Sequence, residues 1–249
     1  MASPLVNSVA ADRLCTVYRL GCLPYREAWA IQQELVQRRK AREIAGQEGD
    51  TLLLLEHPSV ITLGRNAKPE HILTDAARLQ LEGIEIIETN RGGDITYHGP
   101  GQLVGYSILD LSLIRRDVVW YVRTLEEALI RAAADFGIRA QRVKGLPGVW
   151  VNGAKLAAIG VHISRWVTSH GFALNLETDL SKFRHIVPCG INACPVTSFR
   201  ELLRAPVERS LVEDRIIEHF ADLFGVTMQP GQPGSLGVSG GLHNRLGRP

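Results

Sequence analysis

Apolar residues recur with two different periods along this chain, and the changes of period mark its elements. Between 23 and 44, Tyr25, Ala28, Trp29, Gln32, Leu35 and Val36 fall on one face at helical spacing, with Pro24 in the first turn, so the pattern predicts a helix. The same spacing predicts a second helix over 118–137, closed by Gly137, and a third over 207–225. Shorter helices are expected over 74–81, stopped by Gly83, and over 198–203. TLLLLEH at 51–57 is a continuous apolar run too short for a helix, which predicts a buried strand. Strands are likewise expected over 15–21, 60–65, 84–89, 103–111 and 167–177. Asn152-Gly153 between two apolar runs, in GVWVNGAKLAAIGVHI at 148–163, predicts a hairpin. Strands and helices mixed without a repeat or a domain break argue for one α+β domain, a mixed sheet with helices packed on it. Its expected bounds are 15–227, after a flexible leader at 1–14 and before a glycine- and proline-rich tail at 228–249 expected to be disordered.

Composition narrows the class. At 249 residues, 45% hydrophobic and 22% charged, the chain has the balance of a globular protein able to bury a substantial core. A net charge of +2 gives no reason to expect a nucleic acid or a membrane surface as partner. The basic run RRKAR at 38–42 reads as a solvated helix face. With no 18-residue apolar run and no signal-peptide pattern, the expected location is the cytoplasm, with thiols reduced. The spacing of Cys15, Cys22, Cys189 and Cys194 matches no usual zinc pattern, so no metal is expected. Cys15 and Cys22 read as packing residues.

The candidate chemistry lies in three stretches. RGGDITYHGPGQLVGY at 91–106 packs five glycines into sixteen residues beside an arginine, an aspartate and a histidine, which reads as a binding loop rather than a core element. Within it Arg91 and Asp94 either contact a ligand or pair with each other, and His98 either orients a reacting group or is satisfied in a turn. In FRHIVPCGI at 183–191, Pro188 and Gly190 bracket Cys189 and hold its thiol in a turn, a setting suited to attack on a carbonyl. A thiol with a reference pKa of about 8.5 needs a base or a cation nearby. Lys155 in GAKLAAIG is the candidate, although its place after the Asn-Gly turn, on spacing alone, favours an exposed hairpin lysine. Leu103, Val104, Leu156 and Ile159 are candidate linings of an apolar tunnel, with Ala157, Ala158 and Gly160 either leaving it room or packing strands tightly. Arg184 and His185 read as surface residues, or as a docking point for an acidic partner.

Taken in order and spacing, RGGDITYHGPGQLVGY, GVWVNGAKLAAIG, HGFALNL and FRHIVPCGI resemble the lipoate–protein ligase B family, the octanoyl-[acyl-carrier-protein]–protein octanoyltransferases. The resemblance covers roughly 20–225. It departs at Asp94, where the family often carries glutamine. It implies the catalytic fold of the biotin and lipoate protein ligases and a cysteine–lysine dyad at the matching positions, Cys189 and Lys155. The thiol would take the acyl chain from octanoyl acyl carrier protein as a thioester. A lysine of a lipoyl domain, in a 2-oxoacid dehydrogenase complex or the glycine cleavage H protein, would then accept it, with Lys155 handling the protons. The family's substrate segments map first onto Arg91, Gly92, Gly93 and Asp94, continuing through Ile95, Thr96, Tyr97 and His98. They map next onto Ala158, Ile159 and Gly160, and then onto Gly171, Phe172 and Ala173.

No cofactor is expected. Acyl transfer between thioesters is nearly balanced, aminolysis of a thioester runs downhill, and the chain has no GxxxxGK[ST] phosphate loop. Two rivals remain at this level: an ATP-dependent lipoate or biotin protein ligase on the same fold, and a non-catalytic acyl or lipoyl-domain binding protein.

Overall fold

The computed structural model describes residues 13–41, 49–188 and 194–237. Its centre is an eight-stranded mixed sheet. The strands are β1 (Leu14–Cys22), β2 (Asp50–Glu56), β6 (Gln102–Ile108), β7 (Gln141–Val143), β8 (Leu146–Val151), β9 (Ala154–Ser164), β10 (Val167–Asn175) and β11 (Thr227–Pro230). They lie in the order β11-β1-β2-β6-β10-β9-β8-β7, with β1 parallel to both β2 and β11 and the other pairs antiparallel. A second sheet of three strands, in the order β4-β3-β5, is built from β3 (Val60–Leu63), β4 (Glu85–Glu88) and β5 (Ile95–His98).

Helices cover both faces of the large sheet, and this explains the unbroken apolar run of β2. Leu52 and Leu54 point to a core shared with α3 (Val118–Asp135) and α5 (Arg209–Phe224), where Tyr121, Leu125, Ile216 and Phe220 are buried. Leu53 and Leu55 point the other way, to Tyr25, Ala28 and Val36 of α1 (Tyr25–Ala41). A strand covered on both faces has no position left for a polar side chain. The predicted face of α1 is largely the one that packs, with Trp29 and Leu35 partly buried at its margin.

Several boundaries differ from expectation. The short helix α2 spans Ala76–Leu81, because the Asp75 carboxylate caps it through Arg78 N at 2.8 Å, and α4 spans Phe199–Leu203. The strand β5 lies inside the glycine-rich stretch that reads as loop. The expected tail contributes β11, which pairs with β1 from Leu14 to Val17, and Gly231 N donates to Val17 O at 2.7 Å. Residues 1–12 and 238–249, the remainder of the expected leader and tail, lie outside the described residues.

The basic run is not wholly a solvated face. Arg39 is buried and pairs with Asp50, a fully buried carboxylate that also pairs with Arg13 and accepts from Asp110 N at 3.0 Å. Of the two cysteines read as packing residues, Cys15 is buried but Cys22 is exposed at the end of β1. No helix among the described residues is long and apolar enough to cross a membrane.

Candidate active site

The α1-facing side of the large sheet carries two rows across three strands in which the β10 and β9 members are small. Val104, Ala173 and Ala158 stand opposite one another on β6, β10 and β9, and Tyr106, Gly171 and Gly160 form the next row. Missing side-chain bulk in these rows leaves a cleft between the sheet, α1 and the glycine-rich segment. All three residues of each expected later segment, Ala158 to Gly160 and Gly171 to Ala173, line it. From the first segment Arg91, Gly93, Asp94, Ile95, Thr96 and His98 line it as well.

Gly92 and Tyr97 do not line this cleft. Gly92 serves the backbone, donating its N–H to Val161 O at 2.9 Å and so tying the loop to β9. Tyr97 faces the opposite side of β5, where its hydroxyl meets Ser59 Oγ at 3.0 Å and its ring packs on Phe183. Strand alternation explains it: the residue between Thr96 and His98 must point away from the side they share.

Glycine is required where the loop meets its support. A Cβ at Gly64 would stand 2.4 Å from Gly93 O, and one at Gly160 would stand 3.0 Å from Gly92 O. With these backbones close, Arg91 folds inward. Its Nη2 donates to Thr62 O at 2.6 Å and to Thr62 Oγ1 at 2.9 Å, and Nε donates to the same Oγ1 at 3.1 Å. Asp94 turns elsewhere: Oδ1 accepts from Ile95 N at 2.8 Å and Oδ2 meets His71 Nδ1 at 2.6 Å. The alternative of an Arg91–Asp94 pair is replaced by these two anchors.

Under the cleft lies a cluster of neutral rings that the sequence reading did not single out. His57 Nδ1 donates to Leu23 O at 2.7 Å, which leaves Nε2 to accept from the Tyr106 hydroxyl at 2.7 Å. Burial pushes His57 down to about 4 and His170 to about 3, and holds His98 well below the usual histidine value. Burial raises Tyr25 to about 12 and holds Tyr106 well above its usual value. At neutral pH these five rings are uncharged, and the part of the cleft they wall suits an apolar chain.

His98 is buried and satisfied, not in a turn but at the end of β5. Nδ1 meets Gln102 Oε1 at 2.8 Å and Nε2 meets Thr62 Oγ1 at 3.3 Å. Gln102 continues the relay to Asn175 Oδ1 at 2.9 Å, and Asn175 Nδ2 donates to Thr197 O at 3.0 Å. Thr197 N donates in turn to Lys155 O at 3.0 Å.

Lys155 is not the exposed hairpin lysine that spacing favours. The hairpin turn forms as expected, with Asn152 at φ 49° and Gly153 at φ 82°. The chain from Pro195 to Thr197, however, lies along the start of β9, bracketing Lys155 with bonds at 2.8 and 3.0 Å. Lys155 is 4% exposed, and its Nζ sits 4.7 Å from the centroid of the Trp150 ring. Cys189 lies outside the described residues. On its N-terminal side the chain is held where Val187 N donates to His71 O at 2.8 Å and Ile186 bridges to Ile72.

Two further expectations change. Leu103 and Leu156 face the α3–α5 core rather than the cleft, and of the four proposed tunnel residues only Ile159 lines it; Val104 packs in the α1-side core. His185 is buried, bonded to Thr74 Oγ1 at 2.9 Å and Glu82 at 3.1 Å, so it supports the segment leading to Cys189 instead of facing solvent.

The mixed sheet with helices packed on it is a fold shared with solved lipoate protein ligases. The solved structure of lipoate-protein ligase A bound with ATP superposes with a TM-score of 0.67 at 16% identity, covering 90% of this chain and 92% of that one. The Thermoplasma acidophilum putative lipoate protein ligase with bound lipoic acid gives 0.67 at 14% identity, covering 88% and 89%. The family model described as the lipoyl protein ligase A/B catalytic domain matches residues 24–221, and the chain belongs to that family. Among curated relatives, the octanoyltransferase of Solibacter usitatus is 54% identical over 88% of this chain and 97% of its own length. That of Gloeobacter violaceus is 48% identical over 87% and 93%.

Proposed function

We propose that this protein is an octanoyltransferase that moves an octanoyl group from octanoyl acyl carrier protein to a lysine of a lipoyl domain, in the making of lipoylated proteins. The observation that carries this reading is the cleft: floored by small residues of β9 and β10, walled in part by neutral rings, and beginning on β9 three residues beyond a buried lysine. In the first half-reaction the Cys189 thiolate attacks the donor's thioester carbonyl, and the carrier's thiol leaves with a proton. In the second the acceptor amine attacks the enzyme thioester, an amide bond forms, the C–S bond breaks and the sulfur departs as thiolate. Lys155 takes the Cys189 thiol proton before the first step, gives it to the departing carrier thiol, and takes the amine proton in the second. The proximity of Cys189 and Lys155 is supported by the chain path, since Pro195, six residues after the cysteine, accepts the hydrogen bond of Lys155 N. Relatives about half identical over most of the chain carry the name octanoyltransferase. The acceptors on this reading are lipoyl domains of 2-oxoacid dehydrogenase complexes and the glycine cleavage H protein, and the location is the cytoplasm.

Intact mass spectrometry after mixing with octanoyl carrier protein tests the proposal. An octanoyl adduct mapped to Cys189, and absent from Cys189→Ala, is the expected result; turnover by Cys189→Ala equal to that of the unchanged protein would sink it. A second reading, an ATP-dependent ligase, is favoured by the fold neighbour bound with ATP. Strict ATP dependence with free octanoate would select it.

A further inference from the structure

Beyond the cleft, on the far side of one side chain, lies a second cavity. It is a groove open to solvent between α1 and the β9–β10 hairpin, with Trp29, Gln32, Asn90 and His162 in its walls. The side chain between the two is His170. Its ring lines the first cleft, while the groups that hold it, Asn90 and Gln32, line the second.

The local backbone explains this placement. On β10, Val167 packs in the α1-side core and Ser169 lines the α1-side cavity, whereas Phe172 and Leu174 pack in the α3–α5 core. Strict alternation would send His170 to the α3–α5 side with them. Instead His170 has φ 58°, a conformation uncommon for a residue with a side chain, and it turns towards α1. There its ring contacts Trp29 and Tyr106, with centroids 6.4 and 6.1 Å away. Its backbone N donates to Gln32 Oε1 at 2.8 Å, and Nε2 meets Asn90 Oδ1 at 2.7 Å. The strained backbone and two side-chain anchors from distant parts of the sequence fix the ring in one place.

Resting on the octanoyltransferase reading, we infer that His170, braced by Asn90 and Gln32, is the end wall of the acyl cleft and sets the length of chain the protein accepts. With the thioester beside Lys155, the acyl tail runs along the small-residue rows, past Ala158 and Ala173 to Gly160 and Gly171. From Lys155 to Gly160 is five strand steps, about 17 Å. That interval holds the lysine's own side chain and a medium-length acyl chain, and it ends at the imidazole, which stands beside Gly171 and packs on Tyr106. His170 Nδ1 is buried and has no hydrogen-bond partner among the described residues, so further methylenes pressed against it would gain less than against an apolar wall. Behind the ring and its braces Asn90 and Gln32 lies the second groove, so a longer chain meets this small set of side chains rather than the body of the protein.

The test is competition among octanoyl, decanoyl, dodecanoyl and tetradecanoyl carrier proteins, equimolar, read as the mass distribution of the acyl-enzyme. His170→Gly removes the wall and tolerates the backbone angle. Asn90→Ala leaves the histidine and removes its brace. The unchanged protein is expected to carry mainly octanoyl. The dodecanoyl-to-octanoyl ratio should rise at least about tenfold in His170→Gly, each methylene that reaches a dry site being worth about fourfold, and by less in Asn90→Ala. Ratios within about twofold of the unchanged protein, in variants with normal melting curves, would overturn the end wall while leaving the acyl-enzyme intact. Failure of the unchanged protein to form any adduct would overturn the octanoyltransferase reading and the end wall together.

Discussion

Lys155 is the residue whose environment matters most to the chemistry. A lysine side chain at 4% exposure, with its terminal nitrogen over an indole face, has been taken largely out of water, and its positioning depends on the strand-like passage of Pro195 to Thr197. Replacing Lys155 by Ala should lower the rate of acyl-enzyme formation by at least about a hundredfold, the scale of a lost proton-transfer group. Lys68→Ala, at an exposed position, should leave it within about twofold, and equal rates for the two variants would end the dyad proposal. Arg91 is held by the two oxygen atoms of Thr62, a geometry that uses the planar fork of guanidinium. Arg91→Lys should therefore raise KM for the acyl donor with the melting temperature little changed, measurable by steady-state kinetics beside calorimetry.

At the scale of elements, the site depends on backbones that approach one another where side chains are absent. A methyl group at Gly64 would meet Gly93 O at 2.4 Å, so Gly64→Ala should displace the Arg91 loop and destabilise the fold by about 1–3 kcal/mol, read from urea unfolding. The ends of β1 and β2 are fastened differently. Asp50, at the start of β2, gathers Arg13 before β1 and Arg39 of α1. Burial raises its pKa, while the two arginines and the N–H of Asp110 oppose that rise. Removing the carboxylate leaves Arg39 buried without its partner, and Asp50→Ala should cost about 3–5 kcal/mol in the same measurement. The sequence shows these elements through periodicity, yet it hides β5 among glycines and β11 in an apparent tail. Both are short, and both become strands through partners distant in the chain.

For the molecule as a whole, the buried histidines determine how stability responds to acid. His57 titrates near 4 when folded against 6.5 when free, and His170 near 3. Each folded pKa is depressed, so between about 4 and 6.5 the unfolded chain binds more protons and acid favours unfolding. Full stability is present above about 6.5 and declines as pH falls through that window. For His57 alone the loss at its lower end is on the order of 3 kcal/mol. The melting temperature should drop between pH 6.5 and 4, and His57→Gln should flatten the drop; an unchanged slope would show that His57 is not buried neutral.

Resemblance to a family named the three segments that wall the cleft; sequence by itself determined the order of the longer elements, the α+β class and the glycines that let the Arg91 loop approach β9. Those features are local: a period of two or 3.6, a turn dipeptide, a residue lacking Cβ. Tertiary structure alone decided that Lys155 is buried, that Leu103 and Leu156 face away from the cleft, and that His170 turns into it. Each of these depends on a contact between residues far apart in the chain, as Gln32 with His170 and Lys155 with Pro195. The direction of a side chain is set by what packs against its strand, and periodicity carries no record of that partner.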